Sequence, residues 1–217
     1  MSVMKSAAMV SDICPASALK GYYRLHSRIY DATRWTFLFG REEVLRTAAQ
    51  YCSRPPRRIL EVGCGTGRNL ERLARLFPDA DIVGVDLCGS MLDRARRKGA
   101  LRGERVSLRE ASYDAPLAAG SFDLVLFSYA LTMFGPHMRP ALDAAMEDLA
   151  PGGLLAVADF HDTPLGTFRG WMGMNHVRLD GQVLPALAER CAPAAWRIGL
   201  AWGGLWRWFV YVGRKAV

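Results

Sequence analysis

Ile59-Leu60-Glu61-Val62-Gly63-Cys64-Gly65-Thr66-Gly67 runs a short apolar strand into three glycines on alternate positions, and helical spacing follows. Glycine lacks a Cβ and tolerates positive φ, so such a turn can be tight and its amides can lie against a nucleoside-bearing ligand. Glu61 falls near the carboxyl end of the strand, where open α/β sheets bind their ligands. A carboxylate there can accept a hydrogen bond from a cationic amine. The dinucleotide fingerprint G-x-G-x-x-G would need glycine where the chain has Arg68, so that reading fails. A second apolar strand, Ile82 to Leu87, carries Asp86 at its end, at about the 20-residue distance of a ribose-binding acid.

These two elements in order resemble the class I S-adenosylmethionine methyltransferases, with the glycine stretch as their motif I. The resemblance implies an α/β fold of the Rossmann-like kind: a mostly parallel seven-stranded sheet, helices on both faces and a terminal β-hairpin. It places Glu61, Gly63, Gly65 and Gly67 by the methionine end of the cofactor and Asp86 on the ribose hydroxyls. Leu87 and Met91 would flank the adenine, Ala111 and Ser112 would lie near it, and Ser128 and Tyr129 would follow the fourth strand beside the sulfonium. S-adenosylmethionine is then the cofactor and S-adenosylhomocysteine its product; in-line methyl transfer requires no metal.

The pattern along the chain agrees with such a sheet. From Arg57 onward, strand and helix periodicities alternate, the mark of parallel strands covered on both faces. Leu70, Leu73, Ala74 and Phe77 form one helical stripe ended by Pro78; Ser90 and Asp93 suggest a capping box, with Gly99 as a stop. Val106 to Arg109 and Phe122 to Ser128 read as the third and fourth strands. Leu142, Ala145, Met146 and Leu149 repeat the stripe, Pro151-Gly152-Gly153 turns the chain, and Leu154 to Phe160 reads as the fifth strand. Two apolar runs from Trp196 to Val212, split by Gly203-Gly204, suit an edge hairpin. The expected division is 1–56, a helical lid contacting substrate and membrane, and 57–217, the cofactor domain, with a substrate insertion at about 161–185.

The chain has 217 residues, 51% of them hydrophobic, which suits one globular unit, and its five cysteines form no C-x-x-C pair. A net charge of +7 suits nucleic acid, an anionic membrane or an acidic substrate equally. No uncharged apolar run reaches the ~18 residues of a bilayer span, and Met1 to Pro15 lacks a signal-peptide core. The expectation is a cytoplasmic protein, peripherally associated with the inner face of the membrane; no feature fixes an oligomeric state.

Tyr22-Tyr23-Arg24-Leu25-His26-Ser27-Arg28-Ile29-Tyr30-Asp31-Ala32-Thr33-Arg34 and Phe39-Gly40-Arg41-Glu42 resemble the diacylglyceryl-homoserine N-methyltransferases that make bacterial betaine lipids. So do Phe160-His161-Asp162-Thr163-Pro164, Asn175-His176-Val177-Arg178-Leu179-Asp180-Gly181 and Gly203-Gly204-Leu205-Trp206. The resemblance implies threefold methylation of the lipid's amine to the betaine lipid DGTS. Within it, His176 and His161 are candidate bases, and Tyr22 and Tyr30 are aromatic faces toward the amine. Tyr129 and Trp171 are further cation–π surfaces, and Arg34 and Arg178 are candidate partners of the homoserine carboxylate. A phosphatidylethanolamine or other small-molecule N-methyltransferase is the nearest alternative, and a non-catalytic S-adenosylmethionine-binding membrane protein another. A nucleic-acid amine enzyme would carry an Asn/Asp-Pro-Pro-Tyr-like motif where this chain has Ser128-Tyr129-Ala130-Leu131, so no nucleic-acid partner is expected.

Overall fold

The computed structural model describes residues 37–101 and 103–216. Seven strands, β1 (Arg58–Val62), β2 (Asp81–Asp86), β3 (Val106–Glu110), β4 (Phe122–Ser128), β5 (Leu149–Phe160), β6 (Pro193–Ala201) and β7 (Trp206–Arg214), form one sheet in the order β3-β2-β1-β4-β5-β7-β6. The first five run parallel, while β7 lies antiparallel to both β5 and β6. The expected seven-stranded sheet with a closing hairpin is therefore what the chain forms.

The described helices are α1 (Arg41–Tyr51), α2 (Arg68–Leu76), α3 (Gly89–Arg96), α4 (Met138–Asp148), α5 (Gly166–Met174) and α6 (Val183–Ala188). Central strands are apolar on both sides because both faces are covered. Ile59, Leu124, Leu126, Ala156 and Ala158 meet Val44, Leu45 and Ala48 of α1 and Leu70 and Leu73 of α2. On the opposite face Leu60, Val125, Phe127, Leu155 and Val157 meet Ala141, Leu142 and Ala145 of α4. Helix α1 thus shares the sheet's core, although it falls within the expected 1–56 lid. The rest of that lid, through residue 36, lies outside the described residues.

Three local readings need correction. Helix α3 follows Cys88 without a side-chain cap: the Ser90 hydroxyl lies 3.2 Å from Cys88 Sγ, and Asp93 pairs with Arg96 at 2.8 Å. The strand-terminal acid takes the capping role instead, since Asp86 Oδ1 accepts from the Cys88 amide at 2.9 Å. The same helix ends at Arg96, and Gly99 opens a short 3₁₀ turn whose Leu101 is buried. Strand β5 begins at Leu149 rather than Leu154, because Gly152 and Gly153 exchange backbone hydrogen bonds with Lys215 and keep Pro151-Gly152-Gly153 in the sheet.

The buried Asp148 ties the far ends of these elements together. Its carboxylate accepts from the Tyr113 hydroxyl at 2.8 Å and from the amides of Leu117 and Ala118 at 2.9 and 2.7 Å. Tyr113 follows β3 directly, so this anchor at the end of α4 also fixes the chain leaving Ala111 and Ser112.

Candidate functional site

The glycine stretch divides its labour. Gly63, Gly65 and Gly67 have φ of 72°, 53° and 75°, in the left-handed region that side chains enter at a cost. A Cβ on Gly63 would stand 2.6 Å from the Ala130 methyl, and one on Gly67 2.7 Å from Leu101. These two glycines let the backbone pack. A Cβ on Gly65 would meet nothing within 4 Å, so this glycine borders open space at the end of the sheet. Its amide donates to Asp86 Oδ2 at 2.7 Å, joining the loop to the end of β2.

Glu61 projects from β1 toward the α1 and α2 face and is buried. Its Oε1 accepts from Asn69 Nδ2 at 2.8 Å, while its Oε2 has no partner. Burial pushes this carboxyl up to about 8, opposed by the Asn69 hydrogen bond and the positive charge of Arg41. A buried carboxylate oxygen without a donor is costly, and a cationic amine would satisfy it.

Arg41 belongs to this site and has no counterpart among the residues singled out from the sequence. It opens α1 just after Gly40, its Nε lies 3.3 Å from Ser128 Oγ at the end of β4, and its charge acts on Glu61. Burial lowers its pKa, with Glu61 raising it. The available signal was the tetrapeptide Phe39-Gly40-Arg41-Glu42, noted above for its resemblance alone. A side chain's reach from α1 to β4 is invisible without the fold.

Of the two residues expected to flank the adenine, Leu87 is half-buried in the turn after β2 and Met91 is buried at 1% exposure. The Ala111 amide donates to the Asp86 carbonyl at 3.1 Å, which brings the end of β3 beside the end of β2. Ser112, next along, is exposed.

The candidate substrate residues scatter more widely. Tyr129 sits in the left-handed region at φ 57° and is buried; its hydroxyl donates to the Phe39 carbonyl at 2.6 Å, and its ring meets Phe160 edge-on at 4.7 Å. It braces β4 against the residues before α1. The His161 imidazole points to the opposite face from Glu61, edge-on to Phe209 at 6.1 Å and against Gly181, with Nδ1 buried and unpartnered. Its burial lowers its pKa. The structure therefore packs His161 rather than bringing it together with Ser128 and Glu61. His176 follows the C-terminus of α5 at φ 61°. The Arg178 amide donates to the Thr132 carbonyl at 2.9 Å, laying the insertion over the end of β4, while its guanidinium pairs with Asp180 at 3.1 Å. Tyr22, Tyr30 and Arg34 lie outside the described residues.

Aromatic rings continue outward from this edge. Phe37, Trp206, Phe168 and Trp171 stack in succession at centroid separations of 5.1, 5.6 and 5.7 Å. Trp206 and Trp208 are buried. Leu165, Trp171, Met174, Leu200 and Trp202 are exposed, the first three on or beside α5 and the others at the β6–β7 turn. Because Phe160 pairs with Trp208 and Ala201 with Trp206, all of them rim the carboxyl edge of the parallel strands.

The family model described as "Methyltransferase domain" matches residues 59–153. A demethylmenaquinone methyltransferase of Thermus thermophilus is 39% identical over 114 residues, 52% of this chain and 51% of that protein. A trans-aconitate 2-methyltransferase of Deinococcus radiodurans is 38% identical over 104 residues, 48% of this chain and 38% of that protein. The chain thus spans about half the length, or less, of these curated relatives. The structure of the N-methyltransferase NodS from Bradyrhizobium japonicum with S-adenosyl-L-homocysteine superposes with a TM-score of 0.71, at 22% identity, over 89% of this chain and 98% of that one. The fold is that of the class I S-adenosylmethionine methyltransferases. The relatives' names carry other acceptors, so the resemblance to betaine-lipid enzymes stands as an expectation.

Proposed function

We propose, from the methyltransferase domain at residues 59–153, that this chain transfers methyl groups from S-adenosylmethionine to an amine, and that the acceptor is the amine of diacylglyceryl-homoserine. The observation that carries the first half is the cradle of Glu61, Gly65 and Asp86. A buried carboxylate oxygen lacks a donor, open space lies beside a glycine, and a second carboxylate ends the neighbouring strand. Glu61 would take the cofactor's ammonium, Asp86 the ribose hydroxyls, and Arg41 with Ser128 the methionine carboxylate. The cofactor, when bound, supplies an electrophilic methyl group. The chain's part is alignment of the acceptor nitrogen in line with that methyl, which is worth several kcal/mol. Deprotonating an amino-acid amine at neutral pH costs only about 1–3 kcal/mol, so a protein base is helpful rather than required.

The second half is supported by the rim of exposed Leu165, Trp171, Met174, Leu200 and Trp202. Apolar side chains gathered at the mouth of a site suit an acceptor with an apolar body better than a small hydrophilic acid. No helix among the described residues is long and apolar enough to cross a membrane. Contact with an anionic leaflet is part of the same proposal; sedimentation with anionic vesicles should show binding that weakens as salt rises, and salt-indifferent binding would remove the electrostatic account.

Incubation of the protein with S-adenosylmethionine and diacylglyceryl-homoserine, read by mass spectrometry, should show additions of one, two and three methyl groups. Methylation of phosphatidylethanolamine with the homoserine lipid untouched would overturn the acceptor while leaving methyl transfer standing. Cofactor binding without turnover on any amine would favour a non-catalytic role.

A further inference from the structure

Helices α1 and α2 and strand β6 enclose a cleft of about 350 Å³ on the outer side of Arg41. Five arginines line it: Arg41, Arg46, Arg68, Arg72 and Arg197. Two are neutralised, since Arg72 pairs with Glu42, and Arg197 with Glu43 at 2.8 Å from its Nε. Among the described residues, Arg41, Arg46 and Arg68 have no carboxylate within salt-bridge distance: Arg46 donates to the Glu42 carbonyl at 3.4 Å and acts on Glu43 only through space, and Arg41 leans on Ser128 with Glu61 farther off. Concave walls of low dielectric focus the field of such charges, so the cleft attracts anions.

Leu38, Phe39 and Trp208 complete the wall, with the Arg197 guanidinium 4.8 Å above the Trp208 ring. None of Glu61, Asp86, Ser128 and the loop glycines lines this space, which makes it a neighbour of the cofactor cradle with Arg41 as the shared partition. A single carboxylate is matched by one guanidinium in a two-pronged pair. Three guanidiniums with no carboxylate in contact among the described residues suit a tetrahedral oxyanion with more oxygens and more charge. The volume falls in the range of small-ligand clefts and leaves room beyond the oxyanion for an organic group against the aromatic wall.

We propose that this cleft binds an organic phosphate, its oxyanion held by Arg46 and Arg68 with Arg41 behind, and its organic portion lying against Phe39 and Trp208. The ligand chemistry is a phosphate ester, free in solution or borne by a lipid headgroup. The site is tested by binding and not by turnover, so its fate is separable from the methyl-transfer reading.

The experiment titrates the full chain with sn-glycerol 3-phosphate in a calorimeter and sediments it with phosphatidylcholine vesicles with and without phosphatidylglycerol. Binding of the soluble ester identifies a free phosphate as sufficient, and binding of the doped vesicles alone identifies the headgroup. In either case the double variant Arg46→Ala/Arg68→Ala should bind at least about tenfold more weakly, because each charge-assisted contact is worth that much or more. A control pair, Arg75→Ala/Arg109→Ala, removes equal charge from exposed positions outside the cleft and should bind as the unmodified protein does. Thermal melting of both variants checks that they fold. No binding to either probe, unchanged binding in the cleft variant, or an equal loss in the control would overturn the proposal.

Discussion

Asp86→Ala is expected to weaken S-adenosylmethionine binding roughly 100-fold or more. Two ribose hydroxyls donating to one carboxylate make two charge-assisted hydrogen bonds of about 1.5–3 kcal/mol each, so their joint loss exceeds 3 kcal/mol. The carboxylate also organises the protein side: it accepts from the Gly65 and Cys88 amides at 2.7 and 2.9 Å, so alanine releases the glycine loop and the start of α3 together. Asp86→Asn should weaken binding as well, because one amide oxygen replaces two acceptors and the NH2 group would face a backbone N–H. Calorimetric titration of the cofactor measures both variants. Affinity unchanged in Asp86→Ala would take Asp86 out of the site, while a thermal melt would separate loop release from loss of the ligand contact.

The parts legible in the sequence were those encoded by short-range pattern. Alternate glycines after an apolar run, an acid one strand later and two apolar runs around Gly203-Gly204 each state their structure within a short stretch of chain. The division among the glycines was not legible, because it depends on Ala130 and Leu101, which arrive from distant segments. Arg41 was missed for the same reason: its partner Ser128 lies 87 positions away. For His161, position at the end of β5 is readable while the face it points to is not. Register decides the face: His161 continues the alternation of Asp159, across from Phe209, and so turns away from Glu61. The cap of α3 shows tertiary competition as well, since Asp86 reaches the Cys88 amide and the Ser90 hydroxyl is left beside a thiol.

Glu61 should make the cofactor-free protein less stable as pH rises through the neutral range. In the unfolded chain this carboxyl titrates near 4.5, and in the folded protein burial raises it to about 8. Between those values the folded state keeps a proton that the unfolded state has released, so stability is fullest below 4.5 and declines until about pH 8. The full difference is worth at most roughly 5 kcal/mol, with the Asn69 hydrogen bond and Arg41 already opposing it. Buried Asp159, raised to about 6, acts in the same direction at lower pH, and His161, whose pKa burial lowers, acts in the opposite one. The difference between the unmodified protein and Glu61→Gln therefore isolates Glu61, and it is best read by thermal melting between pH 6 and 8. Glu61→Gln should melt higher at the upper end and show the shallower pH slope. An ammonium placed at Oε2 favours the charged carboxylate, so cofactor binding near neutral pH should expel a proton. Calorimetry in buffers of different ionisation enthalpy should detect that proton in the unmodified protein and not in Glu61→Gln. Equal pH slopes in the two proteins, with no proton released on binding, would mean that Glu61 is already ionised in the cofactor-free protein and that burial does not hold its proton.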